Sequence, residues 1–202
     1  MTIISARALR STFWRVYGNA AQVWSSNRPI LDLAGGPERT VFVAGSARSG
    51  TTWVGSVVSS MLRARPIFEP LILNSRGAFA FAHERFPAKA DLRRSYQLYI
   101  RPSLGPRTPY YEEVGRILAG RVRGPWVDAE ARAGLYRERV VKDIRANLYL
   151  DWIQEAWPGL RLIWVIRNPL AVIQSQVAHS QQRGKFDWDA ADLLGQPDVV
   201  ED

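Results

Sequence analysis

Two hydrophobic periods alternate along this chain. Val41, Phe42, Val43 and Ala44 follow one another without a polar break, as in a central strand of a parallel sheet. Gly45-Ser-Ala-Arg-Ser-Gly50 then interrupts the run with a turn. From Thr51 the spacing becomes helical, with Val54, Val57, Val58, Met61 and Leu62 recurring at threes and fours. Ile67-Phe68 reads as a short strand after Pro66. Residues 140–142 read as another strand, followed by a helix over about 147–157 that stops at Pro158-Gly159. Five apolar residues at 162–166 predict a strand buried on both faces. A helix opened by Asn168-Pro169 follows, with Val172 and Ile173 facing the core. Helical stretches are also expected within 82–100 and 109–122, separated by Pro102, Pro106 and Pro109, while 27–39 reads as a loop. Strand and helix alternating in this way predict a three-layer α/β domain with a mainly parallel central sheet.

The segment from Val41 to Trp53 holds the clearest chemistry. A helix that starts in a glycine-rich turn aims free N–H groups and the positive end of its dipole at one spot, which suits phosphate or a related oxyanion. Gly45 and Gly50 have the spacing of the nucleotide-triphosphatase loop G-x-x-x-x-G-K-[ST], but Thr51 stands where the Lys belongs. The cation is instead Arg48, two residues before the second glycine. A tight turn that binds nothing is the bland alternative.

Arg48-Ser-Gly-Thr-Thr-Trp53 resembles the 5′-phosphosulfate loop of sulfotransferases that use 3′-phosphoadenosine 5′-phosphosulfate (PAPS). Arg at the cation position is more similar to the carbohydrate-type branch. A second family motif is a strand ending in Arg with a Ser eight residues later, and Arg167 and Ser175 match it. Phe68-Glu69-Pro70 and Lys142-Asp-Ile-Arg145 are similar to two further segments of that branch.

The resemblance implies a P-loop-like fold and transfer of a sulfonate from PAPS to a hydroxyl of a carbohydrate or small molecule, releasing 3′-phosphoadenosine 5′-phosphate (PAP). It implies cofactor contacts from Arg48, Ser49, Gly50, Thr51, Thr52, Trp53, Arg167 and Ser175. Arg167 and Ser175 are the pair expected at the 3′-phosphate, and Trp53 is expected to contact the adenine. Glu69 is the implied general base, with Arg48 and Lys142 also catalytic. Lys142 would touch the sulfonate or the acceptor; its alternative is a salt bridge to Asp143 or Asp151. His83 is a second candidate base, and no metal is expected. A P-loop kinase or triphosphatase, or a PAP-binding fragment without turnover, stays open as an alternative.

Composition narrows the picture further. A chain of 202 residues, 47% hydrophobic, suffices for one domain with a real core. Cysteine is absent, which excludes disulfides and thiolate metal sites. The net charge of +8 comes from 24 Arg and 3 Lys without a long basic run. We read it as suited to an anionic cofactor, since no nucleic-acid module is visible. Residues 1–39 are expected to hold an amphipathic helix and a loop, 40–182 the sulfotransferase-like domain, and 183–202 a polar tail that begins a truncated C-terminal region. Ala6, Leu9, Phe13, Val16, Tyr17, Ala20, Val23 and Trp24 form the helix stripe, and Arg7, Arg10, Arg15 and Arg28 accompany it without an acid. That helix is expected to pack on the domain, with membrane-surface contact as the second reading. No segment approaches the ~20 apolar residues of a membrane span, and a cytoplasmic protein is expected.

Overall fold

The computed structural model describes residues 29–71 and 109–183. The expected N-terminal helix, the stretch at 82–100 with His83, and the tail beyond 183 lie outside the described residues. In chain order the elements are β1 (Ile30–Asp32), β2 (Thr40–Gly45), α1 (Thr51–Leu62), β3 (Arg65–Phe68), α2 (Pro109–Leu118), β4 (Gly134–Tyr136), β5 (Arg139–Asp143), α3 (Leu150–Ala156), β6 (Arg161–Val165) and α4 (Pro169–Arg183). Short 3-10 turns precede β2 and α3.

Strands β3, β5, β2 and β6 form a parallel sheet in that order. Thr40 to Ala44 pair with Arg139 to Asp143, and Val41 to Gly45 pair with Arg161 to Val165. Successive residues of a strand face opposite sides, and the core divides accordingly. Val41, Val43 and Val140 face α1, with Val54 and Val58 packed against them. Phe42, Ile67 and Val141 face the other side, against Val114, Ile117 and Leu118 of α2 and Trp152 and Ile153 of α3. Helices on both faces complete the expected three layers, and β2 is buried at every position because it lies inside the sheet.

Three expectations fail locally. Strand β6 pairs only with β2 among the described residues, so its apolar run is not buried on both faces. Trp164 is exposed, while Leu162 and Ile163 are half-buried. Likewise Val172 is buried but Ile173 is exposed. The stretch expected as a loop contains β1, a three-residue strand paired in parallel with β4. Its order comes from that distant partner, which local sequence does not reveal.

The amino ends of β3 and β5 are joined by a buried charge network. Arg65 and Arg139 are neighbours in register and both nearly inaccessible to solvent. Arg65 donates to Asp128 Oδ1 at 2.8 Å and Asp32 Oδ2 at 3.0 Å. Arg139 Nε donates to the same Asp32, and its other nitrogens donate to the carbonyls of Gly35, Gly36 and Leu118. Buried guanidinium groups require this degree of pairing. The result fixes the two strands whose opposite ends carry Glu69 and Lys142.

Candidate active site

The turn after β2 is shaped by backbone conformation. Gly45 ends the strand so tightly that a Cβ there would meet Val165 O at 2.6 Å, Thr51 Cγ2 at 2.8 Å and Ser49 Oγ at 3.0 Å. Arg48 and Gly50 both have positive φ, +67° and +100°. That bend brings Ser49 N within 3.1 Å of Ser46 O and lets Val54 N reach Gly50 O at 3.1 Å, which starts α1. The preceding N–H groups of the helix have no intrahelical acceptor. Ser49 and Thr51 are buried, and Ser49 Oγ has no hydrogen-bond partner among the described residues. A buried hydroxyl without a partner, beside free helix N–H groups, is what an oxyanion pocket requires.

The residues implied for the cofactor meet at this turn. Arg48 Nε donates to Ser175 Oγ at 3.2 Å, and Arg167 donates to the Arg48 carbonyl at 3.2 Å. Gln176, which sequence reasoning passed over, donates to Ala47 O at 3.3 Å. Asn168 caps α4, its Oδ1 accepting from Leu170 N at 2.9 Å, so the helix begins beside the turn. Arg48, Arg167 and the indole of Trp53 are exposed, Trp53 by 72%. Thr52 is exposed beside it.

The second half of the site lies at the carboxyl ends of β3 and β5, where ligand crevices of open α/β sheets form. Glu69 follows β3 with a left-handed φ of +40°. Its backbone is held on both sides: its N–H donates to Lys142 O at 2.7 Å, and its carbonyl accepts from Trp126 Nε1 at 3.2 Å. Its carboxylate is engaged at both oxygens. Lys142 Nζ is 2.5 Å from Oε1, and Arg145 Nη1 is 3.1 Å from Oε2. Lys142 therefore pairs with Glu69, and neither Asp143 nor Asp151 is its partner. The ammonium also lies 4.5 Å from the centre of the Phe68 ring. The Lys142 stem lies against Gly55, one turn into α1, and its ammonium reaches Glu69.

Arg145 is the functional candidate that sequence reasoning missed. It sits three residues beyond Lys142, just past the strand end, buried against Glu69 and 3.6 Å from Asp143 Oδ1. Asp143 is completely buried and accepts from Leu71 N and Arg145 N, each at 2.8 Å. Burial pushes its carboxyl up, the Arg145 charge opposes this, and the Glu69 charge adds to it. At the rim, the segment carrying Trp126 is tied to β3 by Phe68 N donating to Val127 O at 2.9 Å and by an edge-on contact of Phe68 with Trp126. Glu130 follows in that segment. Partial burial raises its carboxyl, the Lys142 charge lowers it, and the Glu69 charge raises it.

Among the described residues, no group of three or more His, Cys, Asp or Glu is placed to hold a metal ion, and no helix is long and apolar enough to cross a membrane. The model of the sulfotransferase family matches residues 40–199, most of the chain. No curated protein matches it. The chain belongs to the sulfotransferase family.

Proposed function

We propose that this member of the sulfotransferase family transfers a sulfonate from PAPS to a hydroxyl of a carbohydrate or other small acceptor, releasing PAP. One observation carries the reading. Arg48, Arg167 and Ser175, from two distant stretches of sequence, converge on a turn whose buried Ser49 hydroxyl has no hydrogen-bond partner among the described residues. The turn has the glycine spacing of a triphosphatase loop but Thr51 in place of its Lys, which disfavours a kinase or triphosphatase.

In this reading the N–H groups of Ser49 to Thr52, with Arg48, hold the 5′-phosphate and neutralise charge on the departing bridging oxygen. Thr51 and Thr52 add hydroxyl donors, and Trp53 offers an exposed face for the adenine. Arg167 and Ser175 hold the 3′-phosphate; a guanidinium presents the planar fork this needs. Glu69 receives the acceptor's proton, and Lys142, paired with it, lies against α1. Positioning and charge stabilisation dominate such transfers, as they do for phosphoryl groups.

Calorimetric titration with PAP, ADP and ATP–Mg, repeated on Arg167→Ala, tests the proposal. PAP should bind more tightly than ADP, and the variant should lose most of that preference, about ten- to a hundredfold in affinity. Tight ATP–Mg binding that ignores the 3′-phosphate would refute it.

A further inference from the structure

A carboxylate with both oxygens held by cations is not a freely available base. A proton arriving on Glu69 cancels the charge that holds Lys142 and Arg145, and the two cations are not equivalent. Arg145 faces a second acid, Asp143, at 3.6 Å, and its own backbone N–H donates to that acid at 2.8 Å. Lys142 has Glu69 as its only ion-pair partner among the described residues, at 2.5 Å, with the Phe68 ring as its other support. Protonation of Glu69 thus costs Lys142 its one ion-pair partner among the described residues, leaving only the more distant charge of Glu130, while Arg145 keeps Asp143.

We propose that Glu69 masks the charge of Lys142 in the resting site, and that arrival of the acceptor's proton on Glu69 Oε1 releases that charge to the transferring sulfonate. The inference rests on the sulfonate-transfer reading above. In the step, the acceptor O–H bond breaks and its proton passes to Glu69 as the acceptor O–S bond forms. The S–O bond to the 5′-phosphate breaks, and its electron pair leaves with PAP. Negative charge gathers on the sulfonate and bridging oxygens just as Lys142 loses its counter-ion. The stem of Lys142 lies against Gly55 of α1, the helix that the turn after β2 opens, so the freed ammonium stays on the α1 side of the sheet. Arg145 is a positioning residue: it retains Oε2, supported by Asp143, and keeps the carboxyl plane fixed while Oε1 changes partners. The charged groups around Glu69 among the described residues are Lys142, Arg145, Asp143 and Glu130.

Binding measurements separate this from a simple base. In Glu69→Gln the mask is removed permanently without a change of size. That variant should lose turnover yet bind PAPS about tenfold more tightly relative to PAP, a gain that disappears in the Glu69→Gln/Lys142→Met double variant. Lys142→Met alone should leave PAPS affinity within about twofold of the parent and lower kcat by about a hundredfold, because the cation acts only once released. A Glu69→Gln protein whose preference for PAPS over PAP is unchanged, while the parent turns PAPS over, overturns the coupling alone. A Lys142→Met protein that loses PAPS affinity as steeply as kcat does the same, since Lys142 would then already hold the sulfonate at rest. Absence of PAP binding by the parent protein overturns both the coupling and the reading beneath it.

Discussion

Replacing Gly45 with alanine isolates the steric basis of the oxyanion turn. The new Cβ would lie 2.6 Å from the backbone oxygen of Val165, whereas real contacts of this kind start near 3.0 Å. Relief requires a shift of about 0.4 Å at least, the difference between those two distances. Neither neighbour yields easily. Val165 is in register with Gly45 across two adjacent strands, and the other close atoms belong to Ser49 and Thr51 of the turn itself. Overpacking of this sort costs about 1–3 kcal/mol, which lowers Tm by roughly 2–4 °C per kcal/mol in a chain of this size. Gly50→Ala is the control, because open space surrounds that position and only its φ of +100° resists a side chain. That conformational cost is about 1–2 kcal/mol. Urea unfolding should register a loss in both variants. Titration with PAP should separate them: Gly45→Ala displaces Ser49 and Thr51 and should weaken binding at least tenfold, while Gly50→Ala pushes on no neighbour and should weaken it less. A Gly45→Ala protein with unchanged unfolding midpoint and PAP affinity would refute the steric argument.

Asp128→Asn should destabilise the fold by about 3 kcal/mol in urea unfolding, the low end for breaking a buried ion pair, because Arg65 retains Asp32. Its PAP affinity should not change, since the network lies at the amino ends of the strands. Glu138 lies near the surface between Arg39 and Arg161. Partial burial pushes its carboxyl up, but the hydrogen bonds and charges of Arg161 and Arg39 together outweigh this and hold it below its ordinary value. A depressed carboxyl contributes stability at neutral pH that is lost as pH falls through the folded value. Unfolding followed from neutral to acid should therefore show a difference between the parent and Glu138→Gln of no more than about 1 kcal/mol that vanishes in acid.

The oxyanion turn was legible because everything that makes it is local. Two glycines at fixed spacing, an apolar strand before them and a helical period after them suffice, and β2 and α1 follow. The sheet as a class was also legible, since strand and helix alternate. Strand β6 shows the limit. An apolar run reports that a strand is hydrophobic, not how many neighbours cover it, and Trp164 is exposed. Glu69 and Lys142 are singled out separately, each by the resemblance of its own segment. Their pairing is not, because it depends on β3 and β5 being adjacent although more than seventy residues apart in sequence. Arg145 is given no role in the sequence reading for the same reason: only the folded sheet sets it opposite Glu69. Strand β1 was too short for any period to register.

The arrangement of charge on β3 and β5 has a consequence for altering this protein. Each strand carries ions at both ends, with Arg65 and Arg139 at one and Glu69, Lys142 and Arg145 at the other. The strands are only four and five residues long, yet apolar residues such as Ile67 and Val141 separate the two sets. One end therefore acts as a foundation and the other as a workbench. On the proposed function, substitutions at the second set should alter chemistry while the first keeps the sheet standing, so folding and chemistry can be screened as nearly independent traits.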